Sequence, residues 1–209
     1  MSLIDLTVKE FVETLASDAP APGGGSSSAL SGALGAGLVS MVCRLTLGKP
    51  KYAEYEALVK DTLQKSDALT AELLEAVQKD TNAFDEVMAA FGMPKETEEQ
   101  KAERSAAIQA AYKVAIASPE AVAEACLAAV HLAKGLLNKS NANAASDLAV
   151  GAMQAYAGLM GALDNVQINL PAVKDAVYVA EKKNWMLRVE KEAEELQDFV
   201  KNAVAKGIS

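Results

Sequence analysis

The sequence predicts an all-α protein, a multihelical bundle built around a buried central helix rich in small residues. Three observations carry that prediction. Apolar residues recur at steps of three and four through long Pro-free stretches, which is the helical period. Aromatic residues make up only 5% of the chain while alanine abounds, a balance that favours helix over strand. Between Ala19 and Cys43 there is no charge, and small residues stand four apart at Ser28, Gly32, Ala36 and Ser40. With 209 residues, 51% of them hydrophobic, the chain is long enough for one sizeable core. No linker or tandem repeat interrupts it, so a single domain over residues 1–209 is expected.

The first helix opens on a capping box, Thr7 with Glu10, and places Val8, Phe11, Val12 and Leu15 on one apolar face. It ends near Asp18, since Pro20 and Pro22 cannot continue it. The second begins within Gly23-Gly24-Gly25-Ser26 and runs to about Leu47. An uncharged circumference means burial on every side, and glycine inside a helix, unfavourable by about 0.5–1 kcal/mol relative to alanine, implies close backbone packing in return. Length and hydropathy give this stretch a membrane-like look, but prolines, glycines and serines dilute it, and a buried helix is the expected outcome. A long helix follows from about Pro50 to Phe91, with a stripe through Val59, Thr62, Ser66, Leu69, Leu73, Val77, Asp80, Phe84, Val87 and Phe91. Thr97 and Gln100 cap a helix reaching about Ala117. Ser118-Pro119-Glu120 then reads as a fresh start: N-cap, N1 proline and first-turn acid. That helix is expected to run to about Leu137, and the next from Ala144 to Leu163, uncharged beyond Leu148 and closed by Asp164-Asn165. Pro171 opens the last one.

The charge balance, 20 basic against 28 acidic residues for a net −8, disfavours binding to nucleic acid. One histidine and two scattered cysteines, Cys43 and Cys126, make a metal site unexpected. The cysteines read as small core residues in a reducing compartment, and His131 as a partly buried packing residue. No secretory signal is visible, because Asp5, Glu10 and Glu13 break up the N-terminus.

Asp80 is the residue that periodicity singles out. A carboxylate inside an apolar stripe, far from either helix end, must meet donors or shift its pKa upward. It is either paired with a Lys or Ser across the bundle, or poised for general acid/base work. Asp147 reads first as dipole compensation at a helix start, and Asn141 and Asn143 before it offer amides that could read a heterocycle edge. Gly23 to Ser26 expose backbone N–H groups at a helix N-terminus without the pattern of a phosphate loop. Lys49 and Lys51 place two cations at a helix junction, for a carboxylate tail or for the preceding helix dipole.

Five collinear blocks resemble one family: PAPGGGSSSAL from Pro20, GALGAGLVSMVCRLTLGKPKY from Gly32, DTNAF from Asp80, NANAASDLAV from Asn141 and NVQINL from Asn165. Together they are similar to the cyclodeaminase/cyclohydrolase family of folate enzymes. That family comprises bacterial methenyltetrahydrofolate cyclohydrolases and the C-terminal domain of formiminotransferase-cyclodeaminases. The resemblance implies a cytoplasmic homodimeric helical enzyme acting on a folate, with no cofactor beyond that substrate, no metal, no nucleic acid and no membrane. It implies hydrolysis of 5,10-methenyltetrahydrofolate to 10-formyltetrahydrofolate, with closure of formiminotetrahydrofolate and release of ammonia as the alternative. A non-enzymatic bundle that binds a folate or a protein is the alternative from another class. Asp80 matches the acid of the family's D-x-x-A-F block and is the expected proton carrier. Gly23, Gly24, Gly25, Ser26, Lys49, Lys51, Asn141 and Asp147 fall in other recurring blocks and are expected to line the substrate site. No formiminotransferase half is expected within these residues.

Overall fold

Central to the architecture is α2 (Gly24–Thr46), which lies against α3 (Glu56–Phe91), α4 (Glu98–Gly135) and α5 (Ala145–Asn169). Short α1 (Val8–Leu15) precedes it, and α6 (Ala176–Gly207) packs on α5 and α4. The computed structural model describes residues 2–207, and among them there is no strand. Met1, Ile208 and Ser209, included in the predicted domain, lie outside the described residues.

The small-residue pattern of α2 does what the sequence predicted. Gly24 sits beside Asn165, Gly32 beside Gly158, and Gly35 beside Gly151 and Ala155, so α5 runs antiparallel along α2. A methyl group on Gly35 would meet the Ala155 amide nitrogen at 2.6 Å, and one on Gly158 the Ser28 carbonyl oxygen at 2.6 Å. These are backbone atoms with no freedom to yield. Glycine here is what lets two helix backbones touch. On the other side of α2, Ser40 donates to the Ser66 hydroxyl of α3 at 2.8 Å, so neither buried hydroxyl is orphaned. By length and hydropathy α2 and α4 could each cross a bilayer, but 56% and 50% of their apolar windows are buried within the bundle.

Four expectations are corrected. Residues 98–135 form one helix, with Pro119 buried inside it rather than restarting it. Proline removes the N–H that would bond the Ala115 carbonyl, and the Asn169 side chain of α5 donates to that oxygen instead, at 3.4 Å. Asp164-Asn165 does not end α5, which continues to Asn169. The Asn165 and Asn169 amides donate to the carbonyls of Gly161 and Asn165, at 2.7 and 3.0 Å, and so reinforce the turn they were expected to break. Pro171 lies in a 3-10 turn, Leu170–Ala172, and α6 begins only at Ala176. In α1 the capping box forms as predicted, but of its apolar face only Phe11 is buried. Val8 is 84% exposed, along the edge of an open groove shared with Leu30, Leu74 and Val77.

Candidate active site

Asp80 projects from the middle of α3 against the N-terminus of α2. Its neighbours Val77 and Ala83 are buried, which fixes the backbone beneath it. Across the interface the Ser26 hydroxyl, itself fully buried, stands 3.1 Å from Asp80 Oδ2 and 2.9 Å from the Val77 carbonyl oxygen. The Ser26 backbone N–H also faces the carboxylate and favours its charged form. Gly25 is packed directly on Asp80, so closely that any side chain there would overlap the carboxylate. Burial pushes the Asp80 carboxyl above the ordinary carboxylate range, and the two Ser26 donors hold that rise in check.

This arrangement can serve both protonation states. A serine hydroxyl has one hydrogen and two acceptor positions. Pointed at Asp80, it donates to the carboxylate. Turned to the Val77 carbonyl, it presents a lone pair that can accept from the protonated acid. One hydroxyl rotation therefore keeps every polar group paired through a proton transfer, which suits a group that must take up and return a proton.

Asp80 lines a cavity of about 350 Å³ at the junction of four elements. The N-cap and first residues of α2 contribute Gly23 to Gly25, and α3 adds Phe84 and Met88. Beyond them lie Tyr112 of α4 and Asn165, Ile168 and Asn169 of α5. The walls combine aromatic and aliphatic side chains with polar groups from Asp80, Thr81, Asn165 and Asn169, the mixture by which small-molecule sites bury a ligand and fix its orientation. Phe91 and Tyr112 meet edge to face at 6.2 Å, and Arg104 lies over the Phe91 ring. Depressions of about 430 and 520 Å³ lie between α3 and α4 and between α5 and α6, where the charged lining side chains are at the surface. Volume alone would favour these, but the half-buried acid is in the smaller cavity.

The predicted site residues fall into two groups. Gly23, Gly24, Gly25, Ser26 and Asp80 are together. Lys49, Lys51, Asn141 and Asp147 are at the opposite end of α2, which at ~1.5 Å per residue is roughly 33 Å away. There Asn141 donates to the Leu45 carbonyl at 3.2 Å and its N–H to Thr46 Oγ1 at 2.9 Å, tying the start of α5 to the end of α2. Asp147 lies in the first turn of α5, where its charge faces the helix dipole. Lys49 and Lys51 are exposed, with Lys51 5.4 Å from the Tyr52 ring centre. The sequence reading missed Asn165 and Asn169. Their spacing of four, which continues the helical period past Asp164, was the available signal.

Among the described residues no cluster of three or more His, Cys, Asp or Glu could hold a metal ion. Cys43 and Cys126 are buried, and burial pushes their thiols up to about 11 and about 12, so both are unreactive as expected. His131 departs from expectation: it is exposed and pairs with Glu192 at 2.7 Å rather than packing in the core.

Comparison with known proteins then decides the family. A family profile described as formiminotransferase-cyclodeaminase matches residues 7–188. The chain belongs to this family. It is 46% identical to the methenyltetrahydrofolate cyclohydrolase of Methylorubrum extorquens, over 84% of this chain and 85% of that protein. It is 34% identical to the formimidoyltransferase-cyclodeaminase of Sus scrofa over 86% of its own length, but spans only 33% of that longer protein. The crystal structure of formiminotetrahydrofolate cyclodeaminase from Thermotoga maritima superimposes with a TM-score of 0.84 at 27% identity, covering 96% of each chain. The resemblance and the all-helical fold expected from sequence both hold. Within this formiminotransferase-cyclodeaminase family fold, the D-x-x-A-F acid is the half-buried Asp80 at the cavity wall.

Proposed function

We propose that the protein is a methenyltetrahydrofolate cyclohydrolase, opening the one-carbon bridge of 5,10-methenyltetrahydrofolate to give 10-formyltetrahydrofolate. The observation that carries this is Asp80, half-buried at the wall of a ligand-sized cavity and backed by a hydroxyl that can follow its proton. The bridging carbon is an amidinium-like cation. Water adds to it as Asp80 takes the water proton. The C–N5 bond then breaks as Asp80 returns that proton to N5 and the hydroxyl on the bridging carbon releases its own proton to solvent, leaving the formyl group on N10. The carboxylate also attracts the cationic bridge in a site of low dielectric. The high identity to a cyclohydrolase supports this direction.

The second reading is formiminotetrahydrofolate cyclodeaminase, favoured by the solved neighbour. There N10 attacks the formimino carbon on N5, and Asp80 carries the proton to the departing ammonia. The assay is direct. Purified protein should speed the loss of methenyl absorbance above the uncatalysed rate, and Asp80→Asn should lower kcat by roughly 10²–10⁴. Ammonia released from the formimino compound, with no effect on the methenyl compound, would transfer the assignment to the second reading. Full activity in Asp80→Asn would remove Asp80 as proton carrier.

We also propose that the enzyme is a cytoplasmic homodimer, free of membrane and nucleic acid, with no cofactor beyond its folate. An outer face of α2 and α5 remains open: Leu34 and Leu45 on one helix, Val150, Met153 and Met160 on the other, all exposed. Along α5 this face has no charge between Asp147 and Asp164. A second copy paired antiparallel about a two-fold axis would cover it. The same pairing would set Lys49 and Lys51 of one copy beside the cavity of the other, where a glutamate tail needs cations.

A further inference from the structure

The cavity holds a pair of solvent-accessible side-chain acceptors that the proton chemistry does not use. Asn165 and Asn169 are one turn apart on α5 and both line it. Each has its amide nitrogen committed to the protein. Asn165 Nδ2 donates to the Gly161 carbonyl at 2.7 Å, and Asn169 Nδ2 to the carbonyls of Asn165 and Ala115 at 3.0 and 3.4 Å. Those bonds fix the orientation of both amides, because the reversed amide would set oxygen against carbonyl oxygen. The two Oδ1 atoms are left, and neither accepts a hydrogen bond from a described residue. Pro119 is part of the device: by lacking an N–H it frees the Ala115 carbonyl that anchors Asn169.

Two fixed carbonyl acceptors on one wall select a ligand edge with adjacent N–H donors and reject an edge of acceptors. We propose that Asn165 and Asn169 determine substrate specificity by accepting hydrogen bonds from the 2-amino and ring N–H groups of the folate's pyrimidine ring. This rests on the folate reading above and adds to it how the ring is held while Asp80 works on the one-carbon bridge. A site built to pair with such donors discriminates strongly against an analogue lacking them, because its own polar groups are then left buried and unpaired.

The test is binding by calorimetry, using 5-formyltetrahydrofolate and its 2-desamino-2-methyl analogue as the two probes. The wild-type protein should bind the amino compound roughly ten- to hundredfold tighter. Asn165→Ala and Asn169→Ala should each bind it more weakly and lose most of that preference. A merely structural role would weaken both probes alike and leave the ratio unchanged. Asn165→Ala guards against misfolding, since the Gly161 carbonyl keeps its backbone partner, and its thermal melt checks this. An unchanged ratio in both folded variants, or a wild-type protein indifferent to the 2-amino group, would overturn the proposal. Binding of the folate with the expected ratio but no turnover of either substrate would sink the catalytic reading and leave the acceptor pair standing. No binding of either probe would sink both.

Discussion

Replacing Gly25 with alanine tests the site more sharply than removing its acid, because it displaces Asp80 without changing it. The added methyl would occupy space the carboxylate now fills. Non-bonded heavy atoms settle at ~3.5–4.0 Å, so the carboxylate must retreat by about an ångström or more. The α3 backbone cannot retreat with it, since Val77 and Ala83 on either side are buried. The side chain must therefore rotate and give up the Ser26 hydrogen bonds. Misplacing a catalytic group by about 1 Å costs on the order of 10² in rate, or about 2.7 kcal/mol of barrier. The fold should suffer less. Overpacking costs about 1–3 kcal/mol, and exchanging glycine for alanine in a helix returns about 0.5–1 kcal/mol. The expected variant melts no more than a few degrees low yet is about a hundredfold slower. Gly135→Ala is the control: nothing lies within 4 Å of its new methyl, so it should be slightly stabilised at wild-type rate. The assay pairs kcat/KM for the methenyl substrate with a thermal melt. A folded Gly25→Ala enzyme of wild-type rate would refute the claim that Asp80 works from this position.

Further outcomes follow from the same contacts. Because the folded-state pKa of Asp80 is raised, its contribution to stability is full below the ordinary carboxylate pKa and is lost as pH rises through the raised value. Urea titrations at rising pH should therefore show Asp80→Asn gaining on the wild type. A difference that stays flat would mean the carboxyl is not perturbed. Gly158→Ala drives a methyl onto the Ser28 carbonyl and the Gly32 nitrogen and should cost about 1–3 kcal/mol or more in urea. Unaltered stability would show that α2 and α5 are not in backbone contact. Leu34→Glu, on the open face, should yield a well-folded monomer by sedimentation, with reduced turnover. A monomeric wild-type protein of full activity would rule out the two-fold assembly.

Most of the helices were legible because local rules and burial agree there. Thr7 and Thr97 both form the capping boxes their sequence spells out, and the charge-free runs of α2 and α5 are the two most enclosed helices because nothing in them resists burial. Asp80 was legible for the opposite reason: it breaks a stripe. What was not legible depends on contacts between residues far apart in sequence. The position of Lys49, Lys51, Asn141 and Asp147 relative to Asp80 follows from α2 being straight and unbroken, which sets block order in sequence against distance in space. His131 sits on an alanine-rich helix, but its outward register is set by α6, whose Glu192 takes it.

The misreadings at Pro119 and at Asp164-Asn165 have one cause. Proline stops a helix because a carbonyl loses its donor, and asparagine stops one because its side chain offers the backbone an alternative partner. Here the two liabilities cancel across the α4–α5 interface. The carbonyl left bare by Pro119 accepts from Asn169, while Asn165 and Asn169 spend their remaining donors on carbonyls of their own helix. Each segment read alone predicts a break, whereas read together they predict two continuous helices. That continuity carries Asn165 and Asn169 past the point where α5 was expected to stop and delivers them to the cavity wall. If this exchange is what holds α4 straight, Pro119→Ala should restore the backbone bond, leave α4 intact and release Asn169. Its signature would be unchanged or higher stability together with weaker folate binding, a combination that a purely architectural proline would not give.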